Sequence, residues 1–361
     1  MELRRKYLIF STIIIIFLII YLNKKTNSKK NSFRDWSILN NDALNNEVKQ
    51  IEPNDESKLQ EVKLKPSTEV LVNNLQLDDI KEHMRIYDLK AKNDKNFNCV
   101  KSANIIVQTT ICIHDIGRDI YVSGAIQSNG VWEWDLVDLF MRMVNSRSDI
   151  NVFDIGAQLG QYTLFAAKLG RKCIAVEPFY DSYIRLHKSV QLENLQDNVI
   201  LLTNGLSDKR GEMKKLLDVP SNVGGQTLLN DPSDYSAKKN ESDIKNNPYI
   251  IETILMDDII QVLPKDFKDC VMKIDIEGYE GKAFLQASKL FSRVNVLAVF
   301  MEWAGKVNNQ FIKEEETVEL VKFFQSRNYE VKSPRGLSVL SYDDWRSWPG
   351  DIILVQKGFN F

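Results

Sequence analysis

From Asn151 onward the chain alternates short apolar runs with amphipathic segments, and this alternation restricts the fold more than any other feature. NVFDI (Asn151–Ile155) is followed by LGQYTLFAAKLG (Leu159–Gly170), KCIAVE (Lys172–Glu177), DSYIRLHKSVQLEN (Asp181–Asn194) and NVILLT (Asn198–Thr203). Apolar strands that show no polar face must be covered on both sides, which calls for helices above and below a parallel sheet. The second half repeats the theme with CVMKIDI (Cys270–Ile276), a helix near Lys282–Leu290, VNVLAVFME (Val294–Glu302) and a helix over Glu314–Arg327. YEVKS (Tyr329–Ser333) and DIILVQ (Asp351–Gln356) follow as strands. The expected class is therefore α/β, with a Rossmann-like, doubly wound, mostly parallel sheet.

Upstream of Asn151 the signals are weaker. Leu77, Ile80, Met84 and Tyr87 recur at helical spacing and predict one amphipathic helix over 75–91. TTICIHDIGRDIYV (Thr109–Val122) predicts two short strands around an Asp115–Gly117 turn, and WEWDLVDLFMRMV (Trp132–Val144) follows a helical period. From Asn23 to about Pro66 the chain is rich in Asn, Lys, Asp, Glu and Ser and is read as a flexible stem.

YLIFSTIIIIFLIIYL (Tyr7–Leu22) carries no charge and is flanked by Arg4, Arg5 and Lys6 on one side and Lys24 and Lys25 on the other. At 1.5 Å per residue it reaches about 24 Å as a helix, a short membrane span. It ends in Tyr21 and Leu22 rather than in small residues, so it reads as an uncleaved signal anchor. Basic residues on both sides leave the orientation open by the positive-inside rule. The expected organisation is a tail at 1–6, an anchor at 7–22, a stem at 23–95, lead-in strands and a helix at 96–150, and a catalytic core at 151–361. A net charge of −2 argues against a nucleic-acid binder working by broad phosphate attraction. Cys99 and Cys112 lie close enough to pair in an oxidising lumen, whereas Cys173 and Cys270 sit in apolar runs as buried thiols. Asn240-Glu241-Ser242 is a glycosylation acceptor by pattern only.

The chemistry is concentrated in two blocks. In DIGAQLG (Asp154–Gly160) the glycines fall between a strand and a helix, where backbone approaches a ligand closely and helix N–H groups are free. Glu177 ends the next strand, placed to accept hydrogen bonds from a ribose diol. Gln158 occupies the middle-glycine place of the dinucleotide fingerprint, and Asp154 adds an acid that would repel a pyrophosphate. The same acid suits the ammonium and sulfonium of S-adenosylmethionine. In KIDIEGYE (Lys273–Glu280), Asp275, Glu277 and Glu280 crowd three carboxylates onto a strand end. Methyl transfer from a sulfonium needs alignment of the acceptor and removal of its proton, and either Asp275 or Glu277 can serve as the base. Shared coordination of a divalent cation with Glu302 is an alternative use, so a metal is left open. Glu280 also fits as an acid at a helix N-terminus.

DIGAQLGQYTLFAAKLG, AVEPF and KIDIEGYE, in that order, resemble the FkbM-type branch of class I S-adenosylmethionine-dependent methyltransferases, over roughly Thr109–Val355. The resemblance implies a seven-stranded sheet and O-methylation of a hydroxyl on a sugar or natural product. It also implies that Asp154, Gly156 and Gly160 hold the methionine half of the cofactor, Glu177 the ribose, and Ser207 and Asp208 the adenine edge. Gln158 stands where that family usually has Asn, so its cofactor contact must be made by a longer side chain. Trp132, Asn222, Gly225 and Glu302 are candidates for the acceptor side. His114 is read as structural.

The resulting expectation is a single-pass membrane protein with a lumenal domain, laid out like Golgi or endoplasmic-reticulum enzymes that act on glycans. Its acceptor would be a glycan or small-molecule hydroxyl. A nicotinamide-dependent oxidoreductase and a catalytically idle membrane protein retaining the fold are the rival readings.

Overall fold

A computed structural model describes residues 78–229, 247–303 and 313–361. The anchor expected at 7–22, most of the stem and the Asn240 acceptor lie outside the described residues. Among the described residues no helix is long and apolar enough to cross a membrane.

The strands in chain order are β1 (Ile86–Tyr87), β2 (Asn98–Lys101), β3 (Thr110–Ile113), β4 (Ile150–Ile155), β5 (Cys173–Val176), β6 (Val199–Leu202) and β7 (Gly205–Leu206). They continue with β8 (Met213–Lys215), β9 (Ile250–Ile254), β10 (Asp269–Ile274), β11 (Asn295–Glu302), β12 (Tyr329–Lys332), β13 (Val339–Leu340) and β14 (Asp351–Gln356). The helices are α1 (Val122–Asn129), α2 (Trp134–Asn145), α3 (Gln161–Lys168), α4 (Tyr180–Glu193), α5 (Glu280–Phe284), α6 (Ser288–Arg293) and α7 (Glu314–Gln325).

The main sheet has nine strands in the order β1-β6-β5-β4-β10-β11-β14-β12-β13. β6, β5, β4, β10 and β11 are mutually parallel, and β14 runs antiparallel between β11 and β12. Seven of the nine match the expected sheet; the short edge strands β1 and β13 are additional. Strand order reverses at β4, which has β5 on one side and β10 on the other, and this switch point opens a crevice beyond the carboxyl ends of the strands.

Double winding is visible residue by residue. Val152, Ala175, Leu201, Val271 and Ile353 pack into one core, and their neighbours Phe153, Val176, Leu202, Met272 and Leu354 into the other. Leu164 of α3 and Leu186 of α4 cover the first face; Phe284 of α5, Leu290 of α6 and Leu320 of α7 cover the second. Both faces of the sheet are thus dry, which is why its strands read as unbroken apolar runs.

The structure corrects two upstream expectations. The helix expected over 75–91 is helical over residues 78–83, after which Ile86 and Tyr87 pair with Leu202 and Leu201. The unpaired edge of β6 outweighs a helical periodicity of only a few residues. The second strand expected before Val122 is absent as well. β3 pairs instead with β2 upstream, with Cys99 opposite Cys112 and the two disulfide-bonded, and Val122 opens α1. Asp119 accepts the Ser123 N–H and hydroxyl, which satisfies a helix-start donor and commits this segment to α1. The helix expected near Lys282–Leu290 is two short ones, α5 and α6.

Candidate active site

The first half of the site is the turn between β4 and α3. Gly156 has φ +81°, and a Cβ there would lie 1.8 Å from the Asp275 carbonyl oxygen, because the ends of β4 and β10 run in contact. Gly160, at φ +76°, faces Leu186 of α4. Between them Gln158 is also in the left-handed region, at φ 49°.

Glu177 ties this turn to the end of β5. Its two oxygens accept the backbone N–H of Gln158 at 2.7 Å and of Phe179 at 2.8 Å. Burial pushes its carboxyl up to about 7, against the pull of those two donors. Asp154 is 1% exposed, and its Oδ2 accepts the Thr163 N–H at 3.0 Å and hydroxyl at 2.6 Å, locking the first turn of α3 to β4. Burial raises its pKa as well, while the Thr163 donors and Lys273 pull it back.

The second half is built on the end of β10, whose Lys273 is in register with Asp154. Lys273 is buried and pairs with Asp275 at 2.9 Å. Burial alone would lower its pKa, but Asp275, Tyr162 and Glu133 around it hold it as an ammonium well above its usual range. The Tyr162 hydroxyl is buried without a hydrogen-bond partner among the described residues, and burial pushes its pKa up. Asp275, Glu277 and Glu302 each bring one oxygen within 4.8 Å of the others. That proximity is geometry alone, and no cation is assigned to it.

Two adjoining cavities follow from this arrangement. A slot of about 60 Å³ is lined by Gly156, Gln158, Glu177, Asn204, Gly205 and Leu206, among others. A wider cavity of about 340 Å³ carries Trp132, Glu133, Asp154, Asn222, Gly225, Lys273 and Glu302. Gly156, Gln158, Gly224, Asp275 and Glu277 line both. Asp154 lines the wider cavity and Glu177 the slot, and the residues the two cavities share bring both acids to the same end of the sheet.

The four residues expected on the acceptor side, Trp132, Asn222, Gly225 and Glu302, all line the wider cavity. Trp132 is fixed there by its backbone, which exchanges two hydrogen bonds with the Gln161 amide. Ser207 and Asp208 line neither cavity; the Ser207 hydroxyl donates to Asp208, and the preceding Asn204, Gly205 and Leu206 face the slot instead. Glu280 is buried and accepts the N–H groups of Ile276 and Gly278, so it ties the loop that carries Glu277. His114 lines neither cavity, and burial together with Arg185 and Arg118 lowers its pKa to about 3. Glu133, Tyr162 and Lys273 were not expected as site residues. Neither the left-handed backbone of Glu133 nor the register that brings Lys273 beside Asp154 has a local signature in the sequence.

The cleft suits an adenosine-bearing cation. Gly156 and Gly160 leave room for close approach, Gln158 Nε2 is a buried donor with no partner among the described residues, and the Glu177 carboxylate retains lone pairs beyond its two backbone bonds. Sheet order and cleft together define a Rossmann-like fold with a ligand site at the switch point of its strand order.

Residues 154–331 match the family model described as methyltransferase FkbM domain, and the chain thus carries an FkbM-type methyltransferase domain. The match is narrower than the span suggested by its motifs. No curated protein matches the chain. Similar solved structures include precorrin-6y C5,15-methyltransferase from Geobacter metallireducens GS-15, at 10% identity and TM-score 0.30, covering 61% of this chain and 86% of that one. Monomeric WbdD is 13% identical with TM-score 0.36, over 66% of this chain and 46% of its own. A SAM-dependent O-methyltransferase from Thermotoga maritima is 10% identical with TM-score 0.32, over 64% and 68%. Likenesses this loose say nothing about the acceptor.

Proposed function

We propose that this methyltransferase acts on oxygen, with a sugar hydroxyl of a glycan as acceptor. The observation that carries the reading is the wider cavity, where acids and amides surround one half-buried indole beside the cofactor cleft. Such a lining suits a ring with many hydroxyls and one apolar face, because each hydroxyl finds an acceptor and the ring finds Trp132.

Bound S-adenosylmethionine supplies a methyl carbon already activated by its sulfonium. On our reading Asp154, Gly156, Gln158 and Gly160 hold its methionine half. Glu177 takes the ribose, and Asn204, Gly205 and Leu206, which precede Ser207 and Asp208, take the adenine edge. Asp275, held by Lys273, and Glu277 orient the acceptor hydroxyl toward the cofactor, while Trp132, Asn222, Gly225 and Glu302 contact the acceptor. Alignment of this kind contributes a large share of the barrier reduction in a displacement whose electrophile needs no further activation.

We also propose that residues 7–22 anchor the chain as a single span, with a stem that ends before the folded residues around β1 rather than at 95, and the domain in the Golgi or endoplasmic-reticulum lumen. The Cys99–Cys112 bond supports an oxidising compartment.

The test is release of S-adenosylhomocysteine in the presence of methyl glycosides of common hexoses and pentoses. Turnover with at least one glycoside is expected; turnover only with amines or thiols would overturn the oxygen reading. A second expectation concerns pH. Ribose hydroxyls donate to the charged form of Glu177, so protonation competes with binding. Affinity for S-adenosylmethionine should be full above about pH 7 and weaken by up to about tenfold per unit as the pH falls below it. Calorimetry at several pH values measures this, and Glu177→Gln should remove the dependence. A flat affinity down to about pH 5.5 would remove Glu177 from the ribose site.

A further inference from the structure

We propose that Glu133 is a further catalytic residue of this site, the base that takes the proton of the acceptor hydroxyl. The proposal rests on the hydroxyl-acceptor reading above and adds a group that lies outside the DIGAQLG and KIDIEGYE motifs.

Glu133 sits where the chain enters α2 and lines the acceptor cavity together with Lys273, Asp275, Glu277 and Glu302. Its φ is 55°, a conformation that Gly, Asn and Asp visit far more readily than Glu and that costs about 1 kcal/mol. The fold enforces it from both sides. The Glu133 carbonyl accepts the N–H groups of Leu136 and Val137 at 3.0 and 3.1 Å, and the preceding Trp132 is clamped by Gln161. A glycine would relieve the strain, so the carboxyl is held at this point at a cost.

Its surroundings differ from those of the other acids in the cavity. Asp275 is paired with Lys273 at 2.9 Å. Glu133 makes no hydrogen bond or ion pair with another side chain among the described residues; burial and charges at a distance act on it. The groups that face it are Lys273 and Asp275 at the end of β10, Asp351 at the start of β14, and Tyr162 of α3. Burial, with Asp351 and Asp275 behind it and Lys273 opposing, pushes its carboxyl up to about 7. A base of that strength divides its time between charged and neutral forms near neutral pH, where proton transfer in both directions is most efficient.

In the step itself the acceptor oxygen bonds to the methyl carbon as the carbon–sulfur bond breaks, and the bond pair stays on sulfur in S-adenosylhomocysteine. The hydroxyl proton passes to the Glu133 carboxylate, which later releases it to solvent. Charge and atoms balance without a further reactant.

The experiment uses the full chain, S-adenosylmethionine and the methyl glycosides named above, reading S-adenosylhomocysteine. Glu133→Gln should bind S-adenosylmethionine like the wild type in calorimetry, lose about 100-fold or more in kcat, and lose the fall in kcat that the wild type shows below about pH 7. Glu133→Asp should recover part of the rate. A Glu133→Gln enzyme within about threefold of wild-type kcat, with the acidic limb intact, would overturn the proposal while leaving oxygen methylation standing. Should Glu133→Gln fail to fold, the wild-type profile decides: a flat kcat between about pH 5.5 and 8 overturns the proposal, and an acidic limb displaced in Glu133→Asp supports it. A wild type inactive on every glycoside removes the hydroxyl reading and this base with it.

Discussion

Gly156→Ala is expected to abolish S-adenosylmethionine binding and to lower the melting temperature by roughly 10 °C. The added carbon would stand 1.8 Å from the carbonyl oxygen and 2.9 Å from the carbonyl carbon of Asp275. Both atoms are backbone, and the Asp275 N–H donates to Ile155 at 2.9 Å, so neither chain end can retreat without breaking the β4–β10 junction. The left-handed φ adds about 1 kcal/mol for any residue with a side chain. Gly160→Ala provides the control. Its Cβ would meet the tip of Leu186 at 2.2 Å, a clash that Leu186→Ala removes, so the double variant should lose less stability than the sum of the two single variants. No comparable second-site change should rescue Gly156→Ala. Wild-type melting and wild-type binding heat in Gly156→Ala would show that the close approach of β4 and β10 is not what shapes the cleft.

Asp154→Ala and Glu277→Ala should separate binding from turnover. Removing the Asp154 carboxylate strands a buried N–H and a buried hydroxyl on Thr163, a loss of about 1–3 kcal/mol in stability before any cofactor contact is counted. It also removes the charge that sits beside buried Lys273. The expected result is a folded but less stable protein without measurable cofactor binding. Glu277 lies at the junction of the two cavities, on a loop that Glu280 ties by two backbone bonds. Glu277→Ala should leave cofactor affinity within about threefold and reduce kcat by about 100-fold or more. If both variants turned over at the wild-type rate, the roles assigned to the two acids would be wrong.

The parts of this fold that could be read from sequence are those where local pattern and tertiary environment agree. β4, β5, β6, β10 and β11 are buried on both faces, so their apolar runs carry the signal of a covered parallel sheet without ambiguity. β1 could not be read this way, because two residues pairing with the edge of β6 leave no periodicity of their own. β3 lies where the pattern puts a strand, but its partner precedes it, whereas hairpin signals favour the nearer turn. In the site, Asp154, Gly156 and Glu177 were legible because a strand-end turn places them together by local geometry. Glu133 and Lys273 were not. Lys273 enters through lateral register between strands more than a hundred residues apart in sequence, and Glu133 through a backbone conformation that its residue type does not announce.

The place of β14 sets an order of events for the newborn chain. It is synthesised after both β11 and β12, yet it lies between them, pairing with each. Until residues 351–356 leave the ribosome, β11 presents a bare apolar edge and β12 has only β13 to hold it. Closure of this part of the sheet must therefore wait for residues 351–356, and a chain cut at the family boundary of Val331 would offer that edge to its neighbours and aggregate.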